Sequence, residues 1–233
     1  MKIIKETNRL YSKITDKIFL TENFHKYQIK YSNIYSNNYN MKNNEYSLVH
    51  APKSAGTSVS NFLLKNNVKV INSAHNLVSK KCDPTEYKYI TTLRDPIDRT
   101  KSFYEMQLNN KKLAFHPHSK KGIKTFLSKL KINQNCMCKF IIGEINIDIN
   151  DELYKKAVEN LKSFWFIIDF ETLTDDVRKL SNKLNIIYNL SHDGKKIEKK
   201  IKALPDEINL INDYNQYDLK LYRYFKNELK INQ

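Results

Sequence analysis

The 233-residue chain has only four glycines, three cysteines and one tryptophan. Cys82, Cys136 and Cys138 are too few and too unevenly spaced for a disulfide framework, which points to a reducing compartment. The Cys-x-Cys pair lacks the second ligand pair of a zinc site, and His116 and His118 in "FHPHSK" lack an evident third ligand. No apolar run reaches the length needed to cross a bilayer. The start, "MKIIKETNRLYSKITDKIFL", is broken by charges every few residues, unlike a signal peptide or a span. These absences predict a cytoplasmic protein with no resident metal. Arginine is scarce as well: only Arg9, Arg94, Arg99, Arg178 and Arg223. Where lysine is the default cation, an arginine marks a place where a planar fork is wanted, and two of the five fall in "RDPIDR".

What the chain does have is positive charge. The formal net charge of +15 favours an anionic partner, which could be nucleotide, nucleic acid, acidic glycan or membrane, although a solvated lysine coat accounts for most of it. No RNA- or DNA-binding motif accompanies the charge. Hydrophobic residues at 40% and aromatics at 12% argue against wholesale disorder. At 27.6 kDa the chain can bury a sizeable core. Residues 1–44 read as an N-terminal extension ending in the Tyr/Asn-rich "YSNIYSNNYNMKNN", and 45–233 as one domain.

From Tyr46 onward, short apolar runs alternate with amphipathic segments. "YSLVH" (46–50), "VKVIN" (68–72), "YKYITTL" (87–93) and "FWFII" (164–168) predict strands. Val59, Phe62 and Leu63 give helical spacing between the first two, so the unit is strand, loop, helix, strand, the signature of a parallel sheet. Further helices are predicted over about 121–131, 151–162, 172–185 and 205–229, the last opening with "LPDE" and carrying Tyr214, Leu221, Tyr222 and Phe225 as a core stripe. The fold class is α/β: a parallel sheet flanked by helices, with a helical C-terminal part.

Two strand ends carry the chemistry. "HAPKSAGTS" (50–58) joins the first strand to the first helix, where open α/β sheets gather ligands. Gly56 lets backbone approach a ligand closely. Amides at the helix start and the hydroxyls of Thr57 and Ser58 favour an anion, and Lys53 adds a mobile charge. A tight turn capped by Ser or Thr is the plain alternative. The loop is not a Walker A motif, because Lys53 precedes Gly56, and this disfavours Mg²⁺-dependent ATP chemistry. In "TTLRDPIDRTKSFYE" (91–105), Arg94 ends a strand, Asp95 is placed as N-cap and Pro96 as first helical residue. Ile97, Thr100, Tyr104 and Leu108 are expected in the core, leaving Arg99 and Ser102 on another face. Arg94 and Ser102 then converge on an anion. Two anion sites on two strand ends imply a ligand with two separated phosphates.

These motifs, Pro52-Lys53-Ser54-Ala55-Gly56-Thr57-Ser58 and Arg94-Asp95-Pro96-x-x-Arg99-x-x-Ser102-x-Tyr104, resemble the sulfotransferases that use 3′-phosphoadenosine 5′-phosphosulfate (PAPS). The closest likeness is to the carbohydrate branch containing the uronyl 2-O-sulfotransferases, including its closing helix, matched by Asn215, Asp218, Leu221 and Tyr222 in "NQYDLKLYRYF". The resemblance spans Tyr46 to about Phe225. It implies a P-loop-like α/β fold, with Lys53, Ser54, Ala55, Gly56, Thr57 and Ser58 at the 5′-phosphosulfate and Arg94 and Ser102 at the 3′-phosphate.

It also implies PAPS as co-substrate without a metal, and a saccharide hydroxyl as acceptor. Sulfuryl transfer needs a cation on the leaving phosphate oxygen, which suits Lys53, and a base. His75, the only histidine between the two motifs, is the expected base, with Glu105 as a substitute and His50 as a structural strand-end residue. Lys195 and Lys196 read as a solvated lysine run, with closure over the nucleotide as the alternative role. The competing expectations are a small-molecule or nucleotide kinase and a nonenzymatic polyanion-binding module.

Overall fold

In a computed structural model, residues 41–42, 44–111, 116–189 and 205–230 are described, with the backbone alone over 72–76. The order of elements is β1 (Tyr46–His50), α1 (Gly56–Lys65), β2 (Val70–Asn76), β3 (Lys88–Leu93), α2 (Pro96–Asn109), α3 (His116–Ser119), α4 (Ile123–Lys129), α5 (Cys136–Ile142), α6 (Asp151–Ser163), β4 (Phe166–Asp169), α7 (Leu173–Leu184), α8 (Pro205–Tyr214) and α9 (Gln216–Tyr224). Short 3₁₀ turns cover Lys131–Asn133 and Phe170–Thr172, and a π-helical turn, Phe225–Leu229, follows α9. Nearly all of the proposed N-terminal extension lies outside the described residues, but Met41 is buried and its N–H points at Cys82 Sγ, 3.4 Å away.

The four strands form one parallel sheet in the order β2-β1-β3-β4. The strands are apolar on both faces, as a doubly covered parallel sheet requires. Leu48, Ile90, Phe166 and Ile168 pack with Val59, Phe62 and Leu63 of α1 and Val177 and Leu180 of α7. Val49, Tyr89, Leu93 and Ile167 belong to the second core, with Phe103 of α2 and residues of α4, α5, α6 and α9. The expected α/β class and parallel sheet are therefore present.

The chain runs from β1 outward to β2, then returns across β1 to β3, so its direction along the sheet reverses between β1 and β3. Accordingly α1 covers one face and α2 the other. That reversal is the switch point where such sheets bind ligands, at the carboxyl ends of the strands. The loops after β1 and β3 flank it.

Local details differ from the sequence expectations where tertiary contacts dominate. The helix expected over 205–229 is broken between α8 and α9 at Asn215, whose Nδ2 donates to Ile211 O at 2.9 Å and whose Oδ1 accepts from Arg99 and from the amide of Asn135. Helix α5, buried along its whole length, was not expected at all, and β2 extends through Asn76 rather than ending at 72. The core stripe of the last helices is as expected for Leu221, Tyr222 and Phe225.

Candidate functional site

The loop after β1 has an unusual backbone. Lys53 and Ala55 both lie in the left-handed region, at φ 70° and 71°, with Ser54 between them at negative φ. For residues with a Cβ each such conformation costs about 1–3 kcal/mol, and strain of this kind concentrates at ligand-holding turns. A turn that passes through left-handed residues can bring successive N–H groups onto one side. Helix α1 begins immediately afterward, with Val59 N donating to Ala55 O at 3.1 Å and, among the described residues, no side chain capping its first turn. The capped-turn alternative is thus not what the chain adopts.

Gly56 has a different reason than the one expected. A Cβ there would lie 1.8 Å from Cδ2 of His50, so the close approach that glycine permits is by the buried His50 ring rather than by a ligand. Ser54 is also turned inward: fully buried, its Oγ donates to Ala51 O at 2.6 Å and pairs with Thr92 Oγ1 at 2.9 Å. Thr57 is exposed and Ser58 half-buried. Neither hydroxyl makes a hydrogen bond among the described residues.

Arg94 joins the two motifs. From the end of β3 its Nη1 donates to Lys53 O at 3.0 Å, and its guanidinium lies over the Phe170 ring with Cζ 4.0 Å from the centroid. Its Nε is buried with no hydrogen-bond partner, and no carboxylate lies within ion-pair distance of it among the described residues. Burial lowers its pKa, partly offset by the fields of Asp98, Asp95 and Glu105, but a guanidinium stays charged. The result is a half-buried cation with an unused N–H edge beside the loop. The two loops expected to hold anions at separate strand ends are therefore joined by a hydrogen bond.

The start of α2 is as expected: Asp95 Oδ1 accepts from Ile97 N and Asp98 N at 2.9 and 3.0 Å, with Pro96 first in the helix. Arg99 is not on a ligand-facing side. It is fully buried and bonds Asn133 Oδ1 at 2.7 Å, Asn133 O at 3.1 Å, and Asn215 Oδ1 and Thr100 Oγ1 at 3.3 Å each. The i, i+3 spacing to Ser102 misled because Arg99 and Thr100 both point inward. Ser102 is half-buried, about 9 Å along the axis from the helix start. It makes no hydrogen bond to Arg94.

Asn215 and Asp218 act as staples. Asp218 accepts from Met137 N and Cys138 N at the start of α5, while Asn135 Oδ1 accepts from Tyr217 N and Asp218 N at the start of α9. Each helix thus caps the other. Burial raises the Asp218 pKa, against the pull of Arg99 and the two amides.

Of the remaining candidates, His75 stands one residue before the end of β2, on the same sheet edge as the two loops. Its side chain lies outside the described residues, as do Lys195 and Lys196. Glu105 is buried on α2, close enough to Arg94 to favour its charge. His116 Nδ1 pairs with Gln107 O at 3.0 Å.

Sequence reasoning missed the end of β4. Asp169 pairs in register with Leu93, next to Arg94. Its buried carboxylate takes Lys226 Nζ at 2.7 Å, Lys230 Nζ, and Tyr222 OH at 3.0 Å. Burial opposes its ionisation, but these donors and the Glu171 amide outweigh it and hold the carboxyl below its usual range. A carboxylate closing an apolar strand, "FIID", at the ligand-bearing edge was the available signal.

Compared with models of known protein families and with curated proteins, the chain matches none. Among the described residues no helix is long and apolar enough to cross a membrane, and no group of three or more His, Cys, Asp and Glu could hold a metal ion.

Proposed function

We propose that the chain is a PAPS-dependent sulfotransferase acting on a saccharide hydroxyl, built on a P-loop-like version of the α/β sheet. The observation that carries this reading is Arg94: a half-buried cation tied to the Lys53 carbonyl, with a buried Nε and, among the described residues, no carboxylate paired to it, beside a loop of alternating φ at a helix start that no described side chain caps. Such an arrangement suits an anion with more than one phosphate.

In this reading the amides of Ser54 to Ser58 and the hydroxyls of Thr57 and Ser58 hold the 5′-phosphosulfate, and Arg94 with Ser102 holds the 3′-phosphate. The acceptor oxygen attacks sulfur in line as the bond from sulfur to the leaving phosphate oxygen breaks. Lys53 neutralises the charge gathering on that oxygen, and the acceptor proton passes to His75. Exposed lysines between α2 and α6, among them Lys120, Lys121, Lys124 and Lys129, suit an acidic sugar.

The test is calorimetric titration with adenosine 3′,5′-bisphosphate, AMP and Mg²⁺-ATP on wild type, Lys53→Ala and Arg94→Ala. Preferential binding of the bisphosphate, lost in Arg94→Ala and weakened in Lys53→Ala, is the expected result. Preference for Mg²⁺-ATP, or no nucleotide binding, overturns it. Sulfate transfer from PAPS to desulfated polysaccharides, neutral glycans, tyrosyl peptides and phenols then identifies the acceptor, and a preference for phenols defeats the saccharide assignment.

A further inference from the structure

Arg94 reaches its place from a strand end, on a long side chain that has many rotamers in free solution. Two contacts restrict it: the Lys53 carbonyl at one end and the Phe170 ring beneath its plane. A cation over an aromatic face is held by the ring's quadrupole, and a ring 4.0 Å from Cζ limits where the guanidinium and its remaining N–H edge can lie.

Phe170 lies in a turn whose other residues are all tied to the C-terminal segment. Lys226 bridges Asp169 and Glu171, at 2.7 and 3.1 Å. Lys230 binds Asp169 and, at 2.6 Å, Thr172 Oγ1. Asp176 accepts from the Asp169 amide and Thr172 Oγ1, both at 2.9 Å, and lies 4.0 Å from Lys230. Tyr222 completes the set through Asp169. The residues on both sides of Phe170 are thereby tied down, while its ring lies against Arg94.

We infer that Phe170 is a positioning residue for Arg94, and that Lys226 and Lys230 hold the turn that presents it. This rests on the nucleotide reading only for its consequence, the aim of Arg94 at the second phosphate. The placement itself is measurable without any nucleotide.

The chain's five arginines make a simple spectrum, so exchange of each Nε–Hε proton with water is measured by ¹⁵N NMR, with Arg94→Lys assigning its signal and Arg99 as internal control. Exchange at Arg94 is expected to rise about tenfold in Phe170→Ala and Phe170→Leu and to return to the wild-type rate in Phe170→Tyr, with Arg99 unchanged throughout. Lys226→Met with Lys230→Met is expected to shift Arg94 in the same direction by less. Unchanged Arg94 exchange in Phe170→Leu overturns the role of the ring. Unchanged exchange in the lysine double variant overturns that of the C-terminal segment.

Calorimetry on the same variants reads the consequence. Affinity for adenosine 3′,5′-bisphosphate is expected to fall about fivefold in Phe170→Leu, with AMP affinity unaltered. An equal loss for AMP means that the ring contacts the nucleoside instead, and it too overturns the positioning role. A wild-type protein that binds no nucleotide defeats the sulfotransferase reading, while the exchange rates still decide whether Phe170 positions Arg94.

Discussion

Two helices start at the same edge of the sheet, on neighbouring strands, and they start differently. Helix α2 supplies its own anion: Asp95 accepts from two first-turn amides, and Pro96 removes a donor that needs no partner. Helix α1 supplies nothing of the kind. Ala55 has no side-chain acceptor, and the backbone before it is bent into two left-handed residues that alanine and lysine adopt at a cost.

The two arginines of "RDPIDR" repeat the contrast. Arg99 has four hydrogen bonds inside the core, whereas Arg94 has one, to the backbone of the uncapped loop. Identical side chains five positions apart serve opposite ends. One is tied into the core through two asparagines, and the other is held at the loop by one carbonyl and an aromatic ring.

The largest test of this division is stability. Arg99→Ala removes a buried cation from Asn133 and Asn215 and leaves Asp218 without its nearby charge, and is expected to cost about 3–5 kcal/mol in urea unfolding. Arg94→Ala is expected to stay within about 1 kcal/mol of wild type. The reverse order breaks the comparison.

Next is Gly56→Ala, whose methyl group collides with the His50 ring, for an expected loss of about 1–3 kcal/mol. In a His50→Ala background the same change should cost far less. Equal costs in both backgrounds in a thermal-unfolding cycle would show that the ring is not the obstacle.

Ala55→Asp brings to α1 the kind of carboxylate that α2 already has. It should leave the unfolding midpoint near wild type while weakening bisphosphate binding about tenfold, roughly 1.4 kcal/mol, through charge repulsion at the loop.

The smallest effect is a slope. Because the Asp169 carboxyl titrates below its unfolded value near 3.9, the stability it contributes is fully present above that pH and is lost as pH falls through its folded value. Asp169→Asn should therefore be less stable than wild type at neutral pH, with the gap narrowing below about pH 4. A gap independent of pH would mean that Lys226 and Lys230 do not act through that charge.

Elements whose shape depends on local periodicity were legible in the sequence. The strand at Tyr46–His50, the Val59, Phe62 and Leu63 face of α1, and the Asp95-Pro96 start of α2 follow from neighbours within one or two turns. Failures came where distant residues decide. Asn215 breaks a helical pattern because Arg99 and Asn135 claim its side chain from more than 75 positions away. Arg99 reads as a surface fork until Asn133 is folded beneath it.

In the site, the two motifs were visible, but their reasons were only partly so. Left-handed φ at Lys53 and Ala55 leaves no mark in residues with side chains, and nothing in the sequence pairs Phe170 with Arg94.

His50 and Gly56 have a consequence for how this pattern can be recognised in other chains. Plug and socket here are two letters six positions apart, and the ring fills the volume that the missing side chain leaves. Each residue makes sense through the other: a side chain at position 56 would meet the ring, so seating His50 as it stands requires glycine there. Treated as one joint character, the pair accounts for why, in a chain with so few glycines, one stands at this position.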